Sequence, residues 1–450
     1  MNQHIHLIGI GGTGMGPLAK VFLEMGHSVS GSDLQPSDTT DYLAKLGAKI
    51  YFKHSAANVN GATSVIYSSA IPLQNPEIVA ARKNGLNILH RSEVVAQLIN
   101  AKRGIAVGGA HGKTTITSML ALCLEHAGLD PTVLIGAHFE PFGPGAKYGR
   151  GQFVVAEADE SDGSFLRYRP EVTVVTSIEP DHLENYNGTF ESLIDGYRRF
   201  LANCKPGGMR LIGIDDAVAA AISREFDCVT YGFSNRAHFR AEILGLDQQR
   251  SRFRVYRQGT FFGDFELNVP GRHNVSNALA CIAIADYAGL SIAQIQDALR
   301  VFHGAQRRFQ IVGTCNGAII VDDYAHHPTE VAAMIQAARE GWPQRQIVAV
   351  FQPHRFSRTK LLFEEFSRAF QEADVVIITD IYAPPPEQPI SGVSSSVLAE
   401  RIREFNGPKK VYHIPRQEDA VPFLKGWLTA DDLVLVMGAG PIWRVAKDLV

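Results

Sequence analysis

Hydrophobic positions along the chain form short, β-branched runs that are separated by stretches of helical periodicity. In the first hundred residues the runs are HIHLIGI at 4–10, SVSGSD at 28–33 and SVIYSSA at 64–70. Strands that alternate with helices build βαβ units. The pattern therefore predicts a parallel sheet with helices on its faces.

Two further units follow along the chain. One opens at residue 102 with GIAVGG and continues through FVVAEAD (153–159) and VTVVTSI (172–178). Alternation with period two between residues 237 and 269 predicts antiparallel ribbons, and an apolar helix is expected over 277–290. The last unit has four predicted strands, at 317–323, 346–351, 374–379 and 432–438. We expect three α/β domains in series, covering residues 1–101, 102–303 and 304–450.

Composition narrows the class of protein. Lys and Arg number 43 against 46 Asp and Glu, so the net charge is −3 and there is no basic surface for nucleic acid. Five scattered cysteines fit a reducing compartment rather than a disulfide framework or a zinc site. The first residues show no basic leader, and no uncharged apolar run reaches membrane-spanning length. We expect a cytoplasmic protein that binds neither membrane nor nucleic acid.

A first glycine-rich turn lies between a strand and a helix. Gly9, Gly11, Gly12 and Gly14 spell G-x-G-G-x-G, and Asp33 ends the second predicted strand. Such glycines let backbone N–H groups approach a diphosphate, and the acid is placed to contact a ribose hydroxyl. NAD, FAD and a UDP-sugar all fit this pattern, and a merely tight turn is the structural alternative.

A second turn, GGAHGKTT at 108–115, ends in the G-K-T of a phosphate-binding loop. Lys113 is expected to reach the β- and γ-phosphates of a nucleotide, and Thr114 to place its hydroxyl on Mg²⁺. The loop is shorter than the usual one, since Val107 stands where the first glycine would be. A solvated lysine in a chance glycine turn is the alternative.

Acidic residues follow the next strand. Of the four acids in EADESD (157–162), Glu157 is the best metal-ligand candidate because it closes the strand beside the phosphate loop. His182, after the following strand, could reach the same edge. Taken alone, a histidine in that position is more often structural.

The third unit carries DDYAHHP (322–328) and QPHRFSR (352–358), each directly after a predicted strand. Arg355 and Arg358, three residues apart, are predicted to share one helix face and to clamp a carboxylate. Ordinary surface arginines are the alternative. The adjacent His326 and His327 suggest a metal, but no acid or cysteine is expected at ligand spacing, so zinc is disfavoured.

Taken together, these motifs resemble the Mur ligases, ATP-dependent amide-bond ligases of bacterial cell-wall synthesis. HIHLIGIGGTGM, GGAHGKTT, EADESDGSF, EPDH, PGRHNVSNALA, RRF, DDYAHHPTEV, FQPHRFSRT and MGAG occur in the family's order. The resemblance is closest to the member that joins L-alanine to UDP-N-acetylmuramate. It implies a Rossmann-like N-terminal domain, a P-loop ATPase-like central domain and a Rossmann-like C-terminal domain.

The resemblance also implies roles for individual residues. The UDP-sugar would lie on Gly9, Gly11, Gly12, Gly14 and Asp33. ATP would contact Gly109, Ala110, His111, Gly112, Lys113, Thr114, Thr115, His273, Asn274, Asn277, Arg308 and Asp323. Mg²⁺ would be held by Thr114, Glu157 and His182, and L-alanine by Tyr324, His326, Arg355 and Arg358. Lys113, Glu157, His182 and His326 would serve catalysis.

Three other functions stay open from the sequence. A murein-recycling relative would add a whole tripeptide to the same sugar nucleotide. An NAD-dependent oxidoreductase would use the first glycine turn but has no need of the G-K-T-T loop. A ligand-binding scaffold without turnover is disfavoured by the intact Lys113 and Glu157.

Overall fold

The computed structural model describes residues 3–384, 387–406 and 410–450. The chain divides into two compact units. The first comprises Met1–Arg240, Val255–Phe262 and Asn277–Leu299, and the second Ala241–Arg254, Gly263–Ser276 and Arg300–Val450. The predicted domain boundaries at 101/102 and 303/304 stay a prediction.

The first unit opens with a five-stranded sheet in the order β3-β2-β1-β4-β5. All of its strand pairs are parallel, which confirms the predicted βαβ arrangement. Its elements are β1 (His4–Ile8), α1 (Met15–Glu24), β2 (Ser28–Ser32), α2 (Asp38–Lys45), β3 (Lys49–Tyr51), β4 (Ser64–Tyr67), α3 (Pro76–Lys83), β5 (Asn87–His90) and α4 (Arg91–Ala101).

The central stretch of the chain runs through β6 (Arg103–Gly108), α5 (Lys113–His126), β7 (Thr132–Leu134), β8 (Ala146–Lys147), β9 (Phe153–Glu157), β10 (Val172–Val175), α6 (Phe190–Ala202), β11 (Met209–Gly213), α7 (Ala217–Ile222), β12 (Val229–Gly232), β13 (Phe239–Asp247), β14 (Arg250–Arg257), β15 (Thr260–Leu267), α8 (Arg272–Tyr287) and α9 (Ile292–Arg300). Its sheet order is β15-β14-β13-β12-β11-β10-β6-β9-β7-β8. Strand β6 pairs in parallel with both β9 and β10, so the segments that follow these three strands leave the sheet at one edge.

Two sequence predictions can be compared with this region. The period-two alternation at 237–269 corresponds to three strands, β13, β14 and β15, as predicted. The helix expected over 277–290 instead spans Arg272–Tyr287. Its start was misplaced because the first turn, Arg-His-Asn, is polar and carries no apolar periodicity.

The second unit contains a six-stranded sheet in the order β16-β17-β21-β18-β19-β20. Strands β16 and β17 are antiparallel, and the other pairs are parallel. The elements are β16 (Gln310–Cys315), β17 (Ala318–Asp323), α10 (Pro328–Gly341), β18 (Gln346–Phe351), α11 (Phe356–Leu361), α12 (Phe363–Arg368), β19 (Val375–Ile378), α13 (Ser395–Asn406), β20 (Lys410–His413), α14 (Gln417–Lys425), β21 (Asp432–Met437) and α15 (Trp443–Leu449).

Alternate residues of these strands build separate cores. Ile347, Ala349 and Phe351 belong to one buried cluster, whereas Val348 and Val350 belong to another. A sheet buried on both faces explains why its strands read as continuous apolar runs. None of the helices within the described ranges combines the length and apolarity that a membrane crossing needs.

Candidate active site

The first glycine turn is anchored to the end of the neighbouring strand. The backbone N–H groups of Gly9 and Ile10 donate to the carbonyl oxygen of Ser32, at 2.7 and 3.0 Å. The two carboxylate oxygens of Asp33 accept from the backbone N–H groups of Gly11 (2.9 Å) and Leu34 (2.7 Å). Asp33 therefore holds the turn in shape. Its predicted contact with a ribose stays a prediction.

Several side chains crowd this turn, so that a side chain at either of two of its glycines would have to displace a neighbour. A Cβ on Gly11 would lie 2.9 Å from the carboxylate of Asp33, and one on Gly14 would lie 2.9 Å from a guanidinium nitrogen of Arg91. Gly14 caps α1 without a side-chain hydrogen bond. The N-terminus of α1 thus meets a cation that the sequence analysis missed.

Arg91 belongs to a polar group at the ends of β4 and β5. The hydroxyl of Ser69 donates to Asp162 at 2.7 Å and lies 3.1 Å from Nε2 of His90. Burial is the main cause that lowers the pKa of His90, and Arg91 acts in the same direction against the raising effect of Asp162. The signal that could have found these residues is their position: polar side chains directly after a buried strand.

The second glycine turn demands glycine at two positions. Gly109 and Gly112 have φ of +124° and +82°, which strain any other residue. A Cβ at Gly109 would collide with the hydroxyl of Thr176, and one at Gly112 with the side chain of Asn277. Gly112 is the N-cap of α5, so the turn delivers Lys113, Thr114 and Thr115 into the first helical turn. The predicted strand–loop–helix arrangement is present here.

Other atoms of the turn are fixed by the loop after β10. The Ala110 N–H donates to the carbonyl of Ser177 at 2.9 Å, and the hydroxyl of Thr176 donates to the carbonyl of His111 at 2.5 Å. Nε2 of His111 lies 3.2 Å from a carboxylate oxygen of Glu179. The backbone around Ala110 and His111 is thereby held in a preset conformation.

Lys113 forms a partly buried ion pair. Its Nζ donates to both carboxylate oxygens of Glu160, at 2.8 and 3.0 Å, and to the carbonyl of Gly109 at 2.6 Å. Burial alone would lower the pKa of Lys113, but the carboxylates of Glu160, Asp159 and Glu157 raise it overall. Lys113 is therefore a cation at neutral pH. Burial also raises the pKa of Glu160, against the opposing effect of Lys113.

Glu160 is a residue that the sequence analysis did not single out. It lies in the same EADESD segment as Glu157, and the sequence pattern favours Glu157 as the metal ligand because that acid closes the strand. The tyrosine hydroxyl of Tyr186 donates to the Glu160 carbonyl, and burial raises the pKa of that tyrosine. Only the fold reveals that the loop after β9 turns Glu160 inward toward Lys113.

Glu157 and His182 flank the strand that carries the phosphate loop. Glu157 ends β9 opposite Val107 of β6, and His182 follows β10, on the other side of β6. The carboxylate of Glu157 accepts from the N–H of Gly136 at 2.7 Å. His182 has φ +55°, and its imidazole lies 3.5 Å from Asp181 and 3.8 Å from Glu184.

The donors at this edge fit Mg²⁺ by their chemistry. The hydroxyl of Thr114 is buried in the first turn of α5, and Glu157 offers carboxylate oxygens from the adjacent strand end. Magnesium prefers hard oxygen ligands of this kind. In this structure His182 contacts its own neighbouring acids, so its place in the metal site stays a prediction.

The residues expected near adenine are divided between the two compact units. Asn277 lies in the first unit, where its side chain packs against Gly112. His273 and Asn274 lie in the second unit. The Asn274 amide donates to the carbonyl of Pro270 at 2.7 Å, and burial together with Arg308 lowers the pKa of His273 to about 4.

Asp323 is built into the backbone of the second unit. Its carboxylate accepts from the N–H groups of Phe309 (2.6 Å) and Ala325 (2.7 Å). Burial raises the pKa of Asp323 to about 6, opposed by Arg308. The guanidinium of Arg308 lies 5.5 Å from the centre of the Tyr324 ring. Their predicted contacts with ATP stay a prediction.

A cluster of rings surrounds Arg358, also in the second unit. Nη1 of Arg358 lies 3.1 Å from Nδ1 of His354, whose ring stacks on Tyr382 at 5.8 Å and meets His326 at 6.0 Å. Tyr324 packs edge-on against His326 at 5.1 Å. The structure therefore brings together three predicted residues, Tyr324, His326 and Arg358, and adds His354 and Tyr382. Tyr382 lies just before the proline-rich stretch and away from any motif, which concealed it.

The two arginines do not share a helix face as predicted. Arg355 is the residue before α11, with φ +71° and ψ 135°, and its N–H donates to the Tyr382 carbonyl at 2.8 Å. Arg358 lies within the helix and is only 6% exposed. The i, i+3 helix pattern therefore does not apply to this pair, because the helix begins after Arg355.

The expectation of no acid beside His326 was also wrong. Glu330 stands four residues on, and its carboxylate lies 3.4 Å from Nδ1 of His326 and accepts the N–H of His326 at 3.0 Å. Nδ1 of His326 donates to the carbonyl of Tyr324 at 2.9 Å, which leaves the lone pair on Nε2. Burial is the main cause that lowers the pKa of His326 to about 4. His326 is therefore a neutral base near pH 7.

Family models match three successive stretches of this chain. They are the Mur ligase family catalytic domain over residues 4–103, the Mur ligase middle domain over 107–285 and the Mur ligase glutamate ligase domain over 307–440. The chain belongs to the Mur ligase family. Its three-domain α/β fold is the one that the sequence predicted.

Several similar proteins are members of this family that carry the same name. The chain is 47% identical to the UDP-N-acetylmuramate–L-alanine ligase of Symbiobacterium thermophilum, covering 99% of this chain and 94% of that one. It is 45% identical to the enzyme of that name from Pelotomaculum thermopropionicum, covering 100% and 97%. The crystal structure of the Thermotoga maritima UDP-N-acetylmuramate–alanine ligase superposes with a TM-score of 0.84 at 30% identity, covering 100% and 98%.

Proposed function

We propose that this protein is an ATP-dependent ligase that joins L-alanine to UDP-N-acetylmuramate, releasing ADP and phosphate. The observation that carries the proposal is its full-length similarity to enzymes of that name, at up to 47% identity. Lys113 at the phosphate loop and the ring cluster around Arg358 supply chemistry that such a reaction requires. We place the reaction in the cytoplasm, in the synthesis of peptidoglycan precursors for cell growth and division.

The chemistry explains why ATP is needed. A carboxylate is a poor electrophile in water, so the lactyl carboxylate must first be activated. A carboxylate oxygen attacks the γ-phosphorus of ATP, the bond to the β-bridging oxygen breaks, and an acyl phosphate and ADP result. The neutral amine of L-alanine then attacks the acyl carbon, and the tetrahedral intermediate expels phosphate as the amide forms.

The central region would serve the first step. Two anions meet when the carboxylate approaches ATP, and the Lys113 cation at the phosphate loop offsets that charge. Thr114 and Glu157 are the residues that would hold Mg²⁺, with His182 as a further candidate ligand. When bound there, Mg²⁺ would supply charge neutralisation on the phosphate oxygens. Gly109 and Gly112 would let the backbone of the turn approach the phosphates.

The second unit would serve the amino acid. The α-carboxylate of L-alanine would pair with the guanidinium groups of Arg355 and Arg358, which grip an anion away from the reacting amine. Only the neutral amine attacks, and the Nε2 lone pair of the neutral His326 would accept a hydrogen bond from it and so hold it in place. Tyr324 would flank the same site.

The murein-recycling ligase is the second candidate within the family. A murein peptide ligase from Psychrobacter arcticus shares the fold, with a TM-score of 0.70 at 23% identity over 100% of this chain and 99% of that one. That identity supports the fold alone. The higher identity to the alanine-adding enzymes favours the single amino acid as the substrate.

Phosphate release from ATP tests the proposal. The protein is assayed with UDP-N-acetylmuramate and, in turn, L-alanine, glycine, L-serine and the tripeptide of the recycling reaction, with the product checked by mass spectrometry. We expect the highest kcat/KM with L-alanine and no release without the sugar nucleotide. Turnover with the tripeptide and not with L-alanine would overturn the proposal in favour of the recycling ligase.

A further inference from the structure

Helix α1, which follows the first glycine turn, carries a buried lysine. Lys20 is only 5% exposed, and its Nζ donates to the carbonyl oxygens of Phe142 (2.7 Å) and Ala146 (2.5 Å). The same nitrogen lies 3.2 Å from the carboxylate of Glu24, one helical turn on. An ammonium group has three donors, so these three acceptors match its capacity. Lys20 is thus fully engaged by a segment far along the chain.

That segment is the β7–β8 hairpin. Its strands pair through Leu134 with Ala146, and the Ile135 N–H donates to the Gly145 carbonyl at 2.6 Å. Residues 135–145 therefore form a closed loop. Glu24 accepts the N–H of Tyr148 at 2.6 Å, just beyond the hairpin. Lys20 and Glu24 together fix the returning side of the hairpin to α1.

The outgoing side of the same loop contacts the candidate metal site. The N–H of Gly136 donates to one carboxylate oxygen of Glu157 at 2.7 Å, and a Cβ at Gly136 would lie 3.0 Å from the other oxygen. The loop thus contacts the carboxylate through Gly136. We expect a shift of the loop at Gly136 to alter the orientation of the Glu157 side chain.

The two ends of α1 therefore contact different regions: the first glycine turn at the N-terminus and the β7–β8 hairpin toward the C-terminus. Gly14 caps its N-terminus at the first glycine turn, and Lys20 lies six residues, about 9 Å, further along the axis. The first turn is the expected sugar-nucleotide site, and Glu157 is the expected metal ligand. A contiguous path of covalent bonds and hydrogen bonds joins them through Lys20 and the 135–145 loop.

We propose that Lys20 is a positioning residue that holds the carboxylate of Glu157 in its metal-binding orientation through the 135–145 loop. The inference rests on the proposed function, because that function supplies the Mg²⁺ site. The contacts of Lys20 and Gly136 are observed in the structure and do not depend on it. Residues that orient a metal ligand typically affect metal affinity by 10- to 100-fold when they are replaced. The alternative is that Lys20 only joins α1 to the hairpin and affects folding stability alone.

Three variants separate these two roles. Lys20→Met keeps the aliphatic stem and removes the donors, and Glu24→Ala removes the partner of Tyr148 at a less buried position. The matched control is Lys147→Met, in the same hairpin, whose Nζ instead binds Glu125 and Asp130 at 2.6 and 2.7 Å. Each variant is studied by hydrogen exchange of the 135–148 segment and by calorimetric titration of ADP at a series of Mg²⁺ concentrations.

We expect Lys20→Met to speed exchange at 135–148 and to raise the Mg²⁺ concentration that half-saturates ADP binding by about tenfold. Glu24→Ala should shift both readouts in the same direction by less. Lys147→Met should leave the Mg²⁺ requirement at its wild-type value. Because ADP binding needs no ligase turnover, these results do not depend on which amino acid or peptide the enzyme accepts.

Two results would overturn the inference. The first is faster exchange or a lower melting temperature in Lys20→Met with an unchanged Mg²⁺ requirement, which would make Lys20 purely structural. The second is an equal rise in the Mg²⁺ requirement in Lys147→Met, which would indicate a general loosening of the hairpin. An enzyme that binds Mg²⁺ and ADP normally but fails to ligate would instead count against the proposed function.

Discussion

The two glycine turns share a backbone plan but differ in the charged residues around them. Each follows the first strand of a parallel sheet region and opens a helix, α1 or α5. The first, GIGGTG, has no cation of its own; the guanidinium of Arg91 lies beside Gly14, and the carboxylate of Asp33 braces the turn. The second contains Lys113, which is partly buried and paired with Glu160.

The difference shows how one motif serves two tasks. Backbone N–H groups and a helix N-terminus suffice to bind a diphosphate that stays intact. A phosphoryl group in transfer gains charge along the reaction and needs a cation held in advance. The first turn is therefore suited to binding and the second to reaction, and the predictions below separate these tasks.

The largest effect is expected for Lys113→Ala. Loss of the cation at the transferring phosphoryl group should cost on the order of 3 kcal/mol or more in the transition state, a drop in kcat/KM above about 100-fold. Phosphate release measures this loss, and calorimetry with UDP-N-acetylmuramate should show an unchanged Kd in the same variant. Near-normal activity would contradict the assignment of the second turn.

An intermediate effect is expected for the two arginines of the proposed amino-acid site, which belong to neither glycine turn. Arg355→Ala and Arg358→Ala should each raise the KM for L-alanine by roughly 10- to 150-fold, because a hydrogen bond to a charged group is worth about 1.5–3 kcal/mol. The KM values for ATP and the sugar nucleotide should hardly move. Since Arg358 is buried beside His354, its variant is paired with a thermal melt to confirm folding. An unchanged KM for L-alanine in both variants would remove the amino-acid site from this cluster.

The smallest effect is expected for Asp33→Ala, which removes the brace of the first turn and keeps its backbone. Loss of the bond to Gly11 should cost about 0.5–1.5 kcal/mol, or roughly 2- to 12-fold in the Kd of UDP-N-acetylmuramate. Calorimetry with ATP serves as the internal control. If the binding of UDP-N-acetylmuramate and of ATP weakened equally, Asp33 would support the fold in general and not the first turn.

Much of the fold could be read from the sequence because both turns are local. A strand, a glycine pattern and a helix lie within some twenty residues in each case, and four of the six strands of the last sheet appear as continuous apolar runs. Local patterns also predicted His326 and Arg358 in the segments that follow two strands of the last sheet. Their neighbourhood in space then follows from the parallel order of β17 and β18 around β21.

Contacts made across long sequence separations could not be read in this way. Glu160 reaches Lys113 over 47 residues, and Lys20 reaches Phe142 over 122. Tyr382 contacts His354 only because the segments that follow the parallel strands β18 and β19 continue side by side. The prediction that Arg355 shares a helix face with Arg358 was wrong for a local reason. Arg355 has φ +71°, and nothing in the sequence indicates that the helix begins one position later.

The central claim is that the second turn transfers a phosphoryl group to the lactyl carboxylate of a ligand held at the first. The most direct measurement uses UDP-N-acetylmuramate labelled with ¹⁸O in that carboxylate, together with ATP and L-alanine. Since the attacking oxygen stays on phosphorus when the acyl phosphate is cleaved by the amine, one ¹⁸O should appear in each phosphate released. Phosphate that carries no label, formed at the same rate as the amide, would contradict the account.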